Sequence, residues 1–309
     1  MGDVVHALPL AADLTAARTG IEVDWLVEET FAAIPGMSRH VRQVHRVALR
    51  RWRTRLLQTA TWREMAAARR ALAARSYDLV LDVQGLLKSA WLSRWAHARV
   101  AGPSSASARE QVASLFYDER IVVPRELHAV ERCRRIGAAA LGYSIDTPPR
   151  FDLSVTPTPP AGVRSDYAVL LPNASRASKL WPEAHWVALE AALAARELTS
   201  VLYWGDADEE VRCRRLVAAM RTAQLAPRSP IDAIAATLAG ASLVVGLDTG
   251  LTHLAAALGR PTVGIYCDYD PQLVGLSGGG ATESLGGVDR SPAAADVIAA
   301  AERVRGEHR

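Results

Sequence analysis

Short apolar runs alternate with longer amphipathic stretches along most of the chain, and this pattern predicts strands that alternate with helices. Residues 23–27 and 167–171 are mostly apolar and predict buried strands. Residues 62–74 and 293–305 have the length and the Ala-rich composition of helices, whereas the glycine-rich residues 275–287 predict a loop. Alternation of this kind is typical of α/β domains built on parallel sheets.

A proline-rich segment, residues 143–161, divides the chain into two series of alternating elements. Proline fixes its own backbone and donates no backbone hydrogen bond, so a cluster of prolines favours a linker. We therefore predict an N-terminal Rossmann-like domain in residues 1–155 and a C-terminal one in residues 156–309. Two arrangements of the last helix stay open: it packs on its own domain, or it packs back on the N-terminal domain.

The first predicted helix begins at the first residues of this sequence, Met1-Gly2-Asp3-Val4-Val5, and no apolar strand comes before it. A doubly wound α/β domain normally opens with a strand and a glycine-containing turn. We therefore predict that the first strand of the N-terminal domain is missing from this sequence. One hypothesis is that an internal Met was taken as the start, which would leave the N-terminal domain poorly stable.

Residues 243–253 contain the strongest candidate for ligand chemistry, in the order Leu-Val-Val-Gly-Leu-Asp-Thr-Gly-Leu-Thr-His. The Val-rich start predicts a buried strand, and Asp248 with the following glycine predicts a turn into a helix. N–H groups at a helix start lack internal partners and lie at the positive end of the helix dipole, so this junction suits a phosphate or diphosphate. Thr249 and Thr252 add hydroxyl groups, and His253 lies in the first turn. The alternative is that Asp248 or Thr249 only caps the helix.

Polar residues near the ends of other predicted strands extend this candidate site, because ligands of parallel sheets bind at the carboxyl ends of the strands. Lys179 is distinctive among them, since Lys88 is the only other lysine in a chain whose basic residues are otherwise arginines. The further members of this set are Asp3, Gln84, Lys88, Ser175 and Glu209.

The composition limits the class of protein. The net charge is only +3 and aromatic residues make up 6% of the chain, which argues against nucleic-acid binding. The three cysteines, Cys133, Cys213 and Cys267, show no zinc spacing and no disulfide framework, as is typical of a reducing cytosol. No apolar run approaches the ~20 residues that span a bilayer, and no signal peptide is visible. We expect a cytoplasmic protein that can rest on a membrane surface.

Several motifs together resemble the ADP-heptose:lipopolysaccharide heptosyltransferase family. The two main ones are residues 246–253 and the segment Lys179-Leu180-Trp181-Pro182. Residues 1–9 resemble the N-terminal signature of that family. Four segments resemble its heptosyltransferase I branch in particular: residues 24–29, 50–53, 82–89 and 113–117.

The resemblance implies a GT-B fold, in which two Rossmann-like domains face each other across a cleft. It implies an inverting, metal-independent glycosyltransferase that needs no cofactor. The donor, ADP-heptose, binds the C-terminal domain, and the acceptor, the Kdo region of lipid A, binds the N-terminal domain. The product belongs to the inner core of lipopolysaccharide.

The resemblance also implies roles for individual residues. Asp3 matches the catalytic base, with a helix N-cap as the alternative, and Lys179 matches the cation that stabilises the leaving ADP. Ala174 replaces a hydroxyl residue of the family, which puts one phosphate contact in doubt. The remaining residues implied to bind the donor are Ser175, Glu209, Asp248, Thr249, Gly250, Leu251 and His253.

Basic residues dominate the implied acceptor site, because Kdo and lipid A carry carboxylates and phosphates that suit guanidinium groups. A solvated basic face is the alternative, and the same surface suits anionic lipids at the cytoplasmic face of the inner membrane. The residues concerned are Arg50, Arg51, Arg53, Gln84, Lys88, Arg109 and His128.

Two other functions stay open from the sequence. One is a different transferase of the family, of the heptosyltransferase II type, although residues 50–53 argue against it. The other is an inactive paralogue, truncated at its N-terminus, that binds a nucleotide sugar without turnover.

Overall fold

The computed structural model describes residues 1–163 and 166–307. The chain forms two compact units. The N-terminal unit is His6–Arg150, and the C-terminal unit is Phe151–Arg309 together with Met1–Val5. The units therefore differ from the predicted domains, 1–155 and 156–309, mainly because the first residues group with the C-terminal unit. Within the described ranges, no helix is long and apolar enough to cross a membrane.

The N-terminal unit contains five short strands in two parallel sheets. One sheet pairs β1 with β2, and the other has the order β3-β4-β5. The helices are α1 to α6, of which α1 starts in the C-terminal unit. The bounds are α1 Gly2–Ala17, β1 Val23–Glu28, α2 Ala33–Gly36, β2 Val41–Val47, α3 Leu49–Trp52, α4 Thr59–Ala73, β3 Leu79–Leu81, α5 Leu87–Ser93, β4 Arg99–Pro103, β5 Glu119–Ile121 and α6 Ala129–Leu141.

The two sheets of the N-terminal unit share a core although no backbone hydrogen bond pairs them among the described strands. Leu26 of β1 and Val80 of β3 pack into one apolar cluster around Trp52. The Tyr77 hydroxyl, just before β3, donates to Asp24 of β1 at 2.8 Å. The missing first strand stays a prediction.

The C-terminal unit is built on one parallel sheet of six strands in the order β11-β10-β9-β6-β7-β8. Its core is continuous and apolar, with the β9 and β10 side chains fully buried against helices. The bounds are β6 Tyr167–Leu171, α7 Glu183–Ala194, β7 Thr199–Leu202, α8 Ala207–Ala219, β8 Ala223–Leu225, α9 Ile231–Gly240, β9 Leu243–Leu247, α10 Gly250–Ala257, β10 Thr262–Tyr266, α11 Pro271–Val274, β11 Thr282–Gly286 and α12 Ala294–Gly306.

One prediction about this unit differs from the structure. The loop predicted over residues 275–287 is wrong in its second half, because β11 pairs there with β10 through five residue pairs. Its glycines hide the strand signal, since an edge strand needs backbone pairing more than side-chain burial. The last helix, α12, buries Val297 and Val304 in the core of its own unit, against α7 and β10.

A buried ion pair joins α1 to α6 in the N-terminal unit. Arg134 Nε lies 2.7 Å from Asp13 Oδ2, and Arg134 Nη2 lies 3.0 Å from Asp13 Oδ1. The same Nη2 group donates to the Thr147 carbonyl at 2.8 Å. Both charged side chains are at least nine-tenths buried. Removing one partner would leave the other charge in the interior without compensation.

We expect Asp13→Asn to lower the free energy of unfolding of the N-terminal unit by about 3–5 kcal/mol, because Arg134 keeps its buried charge. Urea unfolding monitored by circular dichroism measures this loss. The control is Glu302→Gln, which breaks the exposed pair with Arg196 and should cost less than about 1 kcal/mol. Equal losses in the two variants would contradict the special role of the buried pair.

Candidate active site

The junction between β9 and α10 is held in a defined shape by the sheet beneath it. The Asp248 N–H donates to the Ile265 carbonyl of β10 at 3.0 Å. A Cβ atom on Gly246 would lie 2.3 Å from Thr252 Oγ1, so glycine is required for α10 to pack this closely on β9. Thr252 is fully buried and donates to the Leu247 carbonyl at 2.6 Å. Its hydroxyl therefore stabilises the junction and is not the ligand donor expected from the sequence.

Lys179 and Asp248 form an ion pair at this junction. Lys179 Nζ lies 2.5 Å from Asp248 Oδ2 and 3.2 Å from the Asp248 carbonyl oxygen. The ammonium also lies 5.9 Å from the centre of the Tyr269 ring, within the range of a cation–π contact. The structure thus brings together two residues that are far apart in sequence. Their charges lie beside the first turn of α10.

His253, in the first turn of α10, contacts the Asp248 carboxylate. Its Nε2 atom lies 3.1 Å from Asp248 Oδ1, and the ring is buried. Burial raises the pKa of Asp248, but the hydrogen bonds of His253 and Lys179 outweigh it and hold that pKa below its ordinary value. The Asp248 carboxylate is therefore ionised and fixed on both oxygens.

The position of Lys179 is set by the tryptophan two residues further along. Trp181 is almost completely buried, donates from Nε1 to the Pro292 carbonyl at 2.8 Å and meets Trp186 edge-to-face at 5.1 Å. Pro182 then occupies the position before the first residue of α7. The motif Lys179-Leu180-Trp181-Pro182 is therefore an anchored turn that projects one cation.

The first turn of α1 lies against the same junction. The Met1 side chain occupies the space over Gly250, where an added Cβ would lie 2.3 Å from Met1 Cβ. Val4 N–H closes the turn on the Met1 carbonyl at 2.9 Å. Asp3, half-buried, belongs to this turn and to the same compact unit as Asp248.

Two other predicted donor residues follow neighbouring strands. Glu209 Oε2 accepts the Gly205 N–H at 2.6 Å, which ties α8 to the end of β7. The sequence left the register open between Glu209 and its acidic neighbours, of which Glu210 pairs with Arg214 at 2.6 Å, and the assignment of Glu209 stays a prediction. Ser175 is exposed on the loop after β6.

Three predicted acceptor residues lie on two segments that contact each other in the N-terminal unit. Gln84 lies in the turn after β3, and Lys88 lies in the first turn of α5, which follows it. The Glu110 N–H donates to the Gly85 carbonyl at 3.0 Å, which brings the segment of Arg109 alongside. Gly85 has φ +65°, and a Cβ there would lie 3.3 Å from the Arg109 backbone nitrogen, so this contact depends on glycine.

Asp82, the last residue before this turn, organises it from inside. Its Oδ1 accepts the Gln84 N–H at 2.9 Å, and its Oδ2 accepts the hydroxyls of Ser89 and Tyr117, each at 2.8 Å. Burial and the Asp82 charge raise the pKa of Tyr117, so this phenol stays a donor.

The arginines of residues 50–53 have different environments. Arg51 is neutralised by Glu29 at 3.1 Å and Glu64 at 2.8 Å. The Arg50 guanidinium lies 5.1 Å from the centre of the Phe31 ring, and Arg53 is exposed. Trp52, between them in sequence, is buried.

His128 is a helix cap. Its Nδ1 atom accepts the Val130 N–H at 3.2 Å at the start of α6. Its ring meets that of His6 edge-to-face at 6.0 Å. The described residues contain no group of three or more His, Cys, Asp or Glu side chains that could hold a metal ion.

Known proteins match this chain along most of its length. The model of glycosyltransferase family 9 (heptosyltransferase) matches residues 65–294. The chain is 42% identical to lipopolysaccharide heptosyltransferase 1 of Escherichia coli (strain K12) over 89% of this chain and 87% of that protein. It is 41% identical to the protein of the same name from Pseudomonas aeruginosa, over 90% and 79%. The structure of E. coli heptosyltransferase WaaC with ADP has a TM-score of 0.88 and 39% identity, and it covers 98% of this chain and 96% of that chain.

The chain belongs to glycosyltransferase family 9. The resemblance inferred from its motifs is therefore confirmed, and so is its class as a glycosyltransferase. The likeness to WaaC confirms the GT-B fold. Family membership names the fold and the class of reaction, whereas the roles of single residues in this family 9 enzyme stay predictions.

Sequence reasoning missed one polar contact beside the Lys179 turn of this family 9 enzyme. Asp268 Oδ2 accepts the Ser178 hydroxyl at 2.5 Å and lies 3.3 Å from Arg176 Nη2. It lies two residues after β10, so the rule that placed Asp248 at the end of a strand was enough to find it. The contact ties the turn that carries Lys179 to the segment that follows β10.

We expect Asp248→Asn to lower the free energy of unfolding of the C-terminal unit by about 1–3 kcal/mol at pH 7, since charge-assisted hydrogen bonds to Lys179 and His253 are lost. A carboxylate with a lowered pKa stabilises the fold above its ordinary pKa of ~3.9 and loses this effect as the pH falls through the folded-state pKa. The difference between wild type and variant should therefore shrink below about pH 4.

Thermal unfolding between pH 3 and pH 7 measures this dependence, under conditions where the wild type refolds. The matched control is Asp208→Asn, an exposed carboxylate in the first turn of α8. A pH-independent difference for Asp248→Asn would show that the carboxylate charge does not stabilise the junction.

Proposed function

We infer that this family 9 enzyme is a lipopolysaccharide heptosyltransferase that moves heptose from ADP-heptose to the Kdo region of lipid A. The observation that carries the proposal is the ion pair of Lys179 with Asp248 beside the first turn of α10. This arrangement lies in a chain that is 42% identical to lipopolysaccharide heptosyltransferase 1 of E. coli. A cation next to a helix N-terminus suits a diphosphate leaving group.

The donor binds the C-terminal unit in this proposal. Backbone N–H groups of Gly250 and Leu251, with the Thr249 hydroxyl, approach the diphosphate, and Ser175 adds a hydroxyl contact. Asp248 accepts hydrogen bonds from heptose hydroxyls, and Glu209 accepts them from the adenosine ribose. His253 acts on the donor through Asp248, because its Nε2 atom is already engaged there.

The transfer is a single displacement with inversion. The Asp3 carboxylate takes the proton of the acceptor hydroxyl, and the acceptor oxygen forms a bond to the anomeric carbon of heptose. The bond from that carbon to the diphosphate oxygen breaks on the opposite face, and ADP leaves with the electron pair. Lys179 and the α10 N–H groups stabilise the charge that develops on ADP.

The acceptor is bound by basic and polar residues of the N-terminal unit in this proposal. Guanidinium groups bind carboxylates and phosphates in a bidentate manner, which suits the anionic Kdo and lipid A groups. The enzyme works at the cytoplasmic face of the inner membrane, where this lipid acceptor resides. The residues concerned are Arg50, Arg51, Arg53, Gln84, Lys88, Arg109 and His128.

Turnover of ADP-heptose with Kdo–lipid A, followed by release of ADP, tests the function. We expect product with wild type and a fall in kcat of about 10²–10³-fold for Lys179→Gln, because the leaving group loses its cation. Lys179→Arg should recover part of the loss, and the exposed Arg214→Gln is the matched control.

Other outcomes of this assay identify the alternatives. Product formed only with an acceptor that already carries one heptose would indicate a transferase of the heptosyltransferase II type. ADP binding by a wild-type protein that forms no product with either acceptor would indicate a nucleotide-sugar-binding paralogue.

We expect Asp3→Asn to lower kcat by about 10²–10⁴-fold, because the variant cannot accept the acceptor proton. ADP affinity, measured by calorimetry, should stay within about threefold of wild type, because the base does not contact the nucleotide. The control Asp232→Asn removes another acid from a helix first turn, in α9, and should keep full turnover. Full turnover in Asp3→Asn would leave Asp3 only as an acidic residue in the first turn of α1.

A further inference from the structure

Three exposed large apolar side chains lie close together in sequence between the end of α3 and the first turn of α4. Leu57 is fully exposed, and Leu56 and Trp62 are exposed to 49% and 56%. Side chains of this size rarely cluster in water on a protein that functions alone, and clusters mark surfaces that contact something. Residues 53–63 connect α3 to α4 and include the first turn of α4. We call this segment the α3–α4 turn.

Internal hydrogen bonds hold the α3–α4 turn in this shape. Trp62 Nε1 donates to the Leu56 carbonyl at 2.8 Å, which places the indole beside the leucine backbone. The Thr61 hydroxyl donates to the Arg55 carbonyl at 2.9 Å. The leucines are therefore presented outward by an ordered turn that continues into α4.

The charges of this turn are all positive. Arg53, Arg55 and Arg63 are exposed, and residues 53–63 contain no acidic residue. None of the three arginines forms an ion pair within the part of the chain that the structure describes. By contrast, Arg51 is neutralised by two glutamates and Trp52 is buried, so the preceding helix α3 offers less to a membrane than its sequence suggests.

We propose that the α3–α4 turn docks on an anionic bilayer, with Leu56, Leu57 and Trp62 inserted among the headgroups and the arginines against lipid phosphates. Leucine supplies apolar insertion, tryptophan favours the interface between water and hydrocarbon, and arginine adds attraction to anionic headgroups. The proposal deepens the proposed function, because the lipid acceptor of that reaction lies in a membrane. It requires neither ADP-heptose nor acceptor to be bound.

Vesicle flotation of the full chain, without donor or acceptor, tests this surface. One set of vesicles is phosphatidylcholine alone, and the other is an equal mixture of phosphatidylcholine and phosphatidylglycerol. Wild type should float with the mixed vesicles and remain unbound with the neutral ones, and added salt should weaken binding because it screens the arginines.

Two double variants separate the apolar and the electrostatic contributions. Leu56→Ser with Leu57→Ser should weaken partitioning to mixed vesicles at least ~10-fold, because two inserted side chains are lost. Arg55→Gln with Arg63→Gln should weaken it ~10- to 30-fold at low salt and less at high salt. Both pairs are exposed, so their melting temperatures should match wild type.

The matched control is Val122→Ser, which removes an apolar side chain that is 76% exposed elsewhere on the N-terminal unit. It should leave flotation unchanged. Equal loss in Val122→Ser, undiminished flotation of the leucine variant, or no flotation of wild type would each overturn the proposal.

Self-association of wild type that the leucine variant abolishes, without any vesicle binding, would assign the turn to a protein interface and also overturn it. Failure of this surface is distinguishable from failure of the proposed function. Transfer to a deacylated, water-soluble Kdo acceptor does not require a membrane, so the leucine variant should retain it. Flotation in a protein that transfers no heptose would uphold the docking surface and reject the reaction.

Discussion

The partly buried ion pair between Lys179 and Asp248 is the interaction on which the rest of the site depends. A lysine removed from water this far needs a compensating charge, which the Asp248 carboxylate supplies, and the Asp248 carbonyl oxygen accepts a second hydrogen bond from it. The carboxylate is in turn fixed by His253. The cation is therefore preorganised at the helix N-terminus, so little rearrangement is needed when a diphosphate arrives.

The surrounding fold serves to hold these charges in place. The Lys179 turn is anchored below by the buried Trp181 and laterally by Asp268 through Ser178. The Asp248 side rests on a β9–α10 junction whose close packing requires Gly246. Each charged group thus depends on a buried or hydrogen-bonded neighbour that itself performs no chemistry. Such a support explains why a short motif of Lys, Trp and Pro carries so much information about function.

The arginines of residues 50–53 show that a basic side chain in the sequence is not always available to bind an anionic ligand. Arg50, Arg51 and Arg53 are adjacent and equivalent by composition, yet Arg51 is paired with two glutamates and Arg50 stacks on an aromatic ring. Within the described chain, arginines that form no ion pair lie further along, in a segment that also exposes leucines. Neutralisation depends on glutamates that are distant in sequence, and only folding brings them close.

The alternation of apolar runs determined by itself that the chain forms α/β units on parallel sheets, and β6 begins and ends where the sequence predicts. Local patterns suffice there because a strand that is buried on both faces must be apolar along its whole length. The short edge strands β5 and β8 and the glycine-containing β11 gave no such signal, since they are held by backbone pairing to a neighbour. The sequence also determined which residues follow the strands and so meet at one edge of the sheet.

Only the tertiary structure decided what each of them touches: that Lys179 meets Asp248, that Thr252 turns inward, that His128 caps a helix and that Met1 covers Gly250. These contacts join residues far apart in the chain, and their geometry depends on packing that no local pattern encodes.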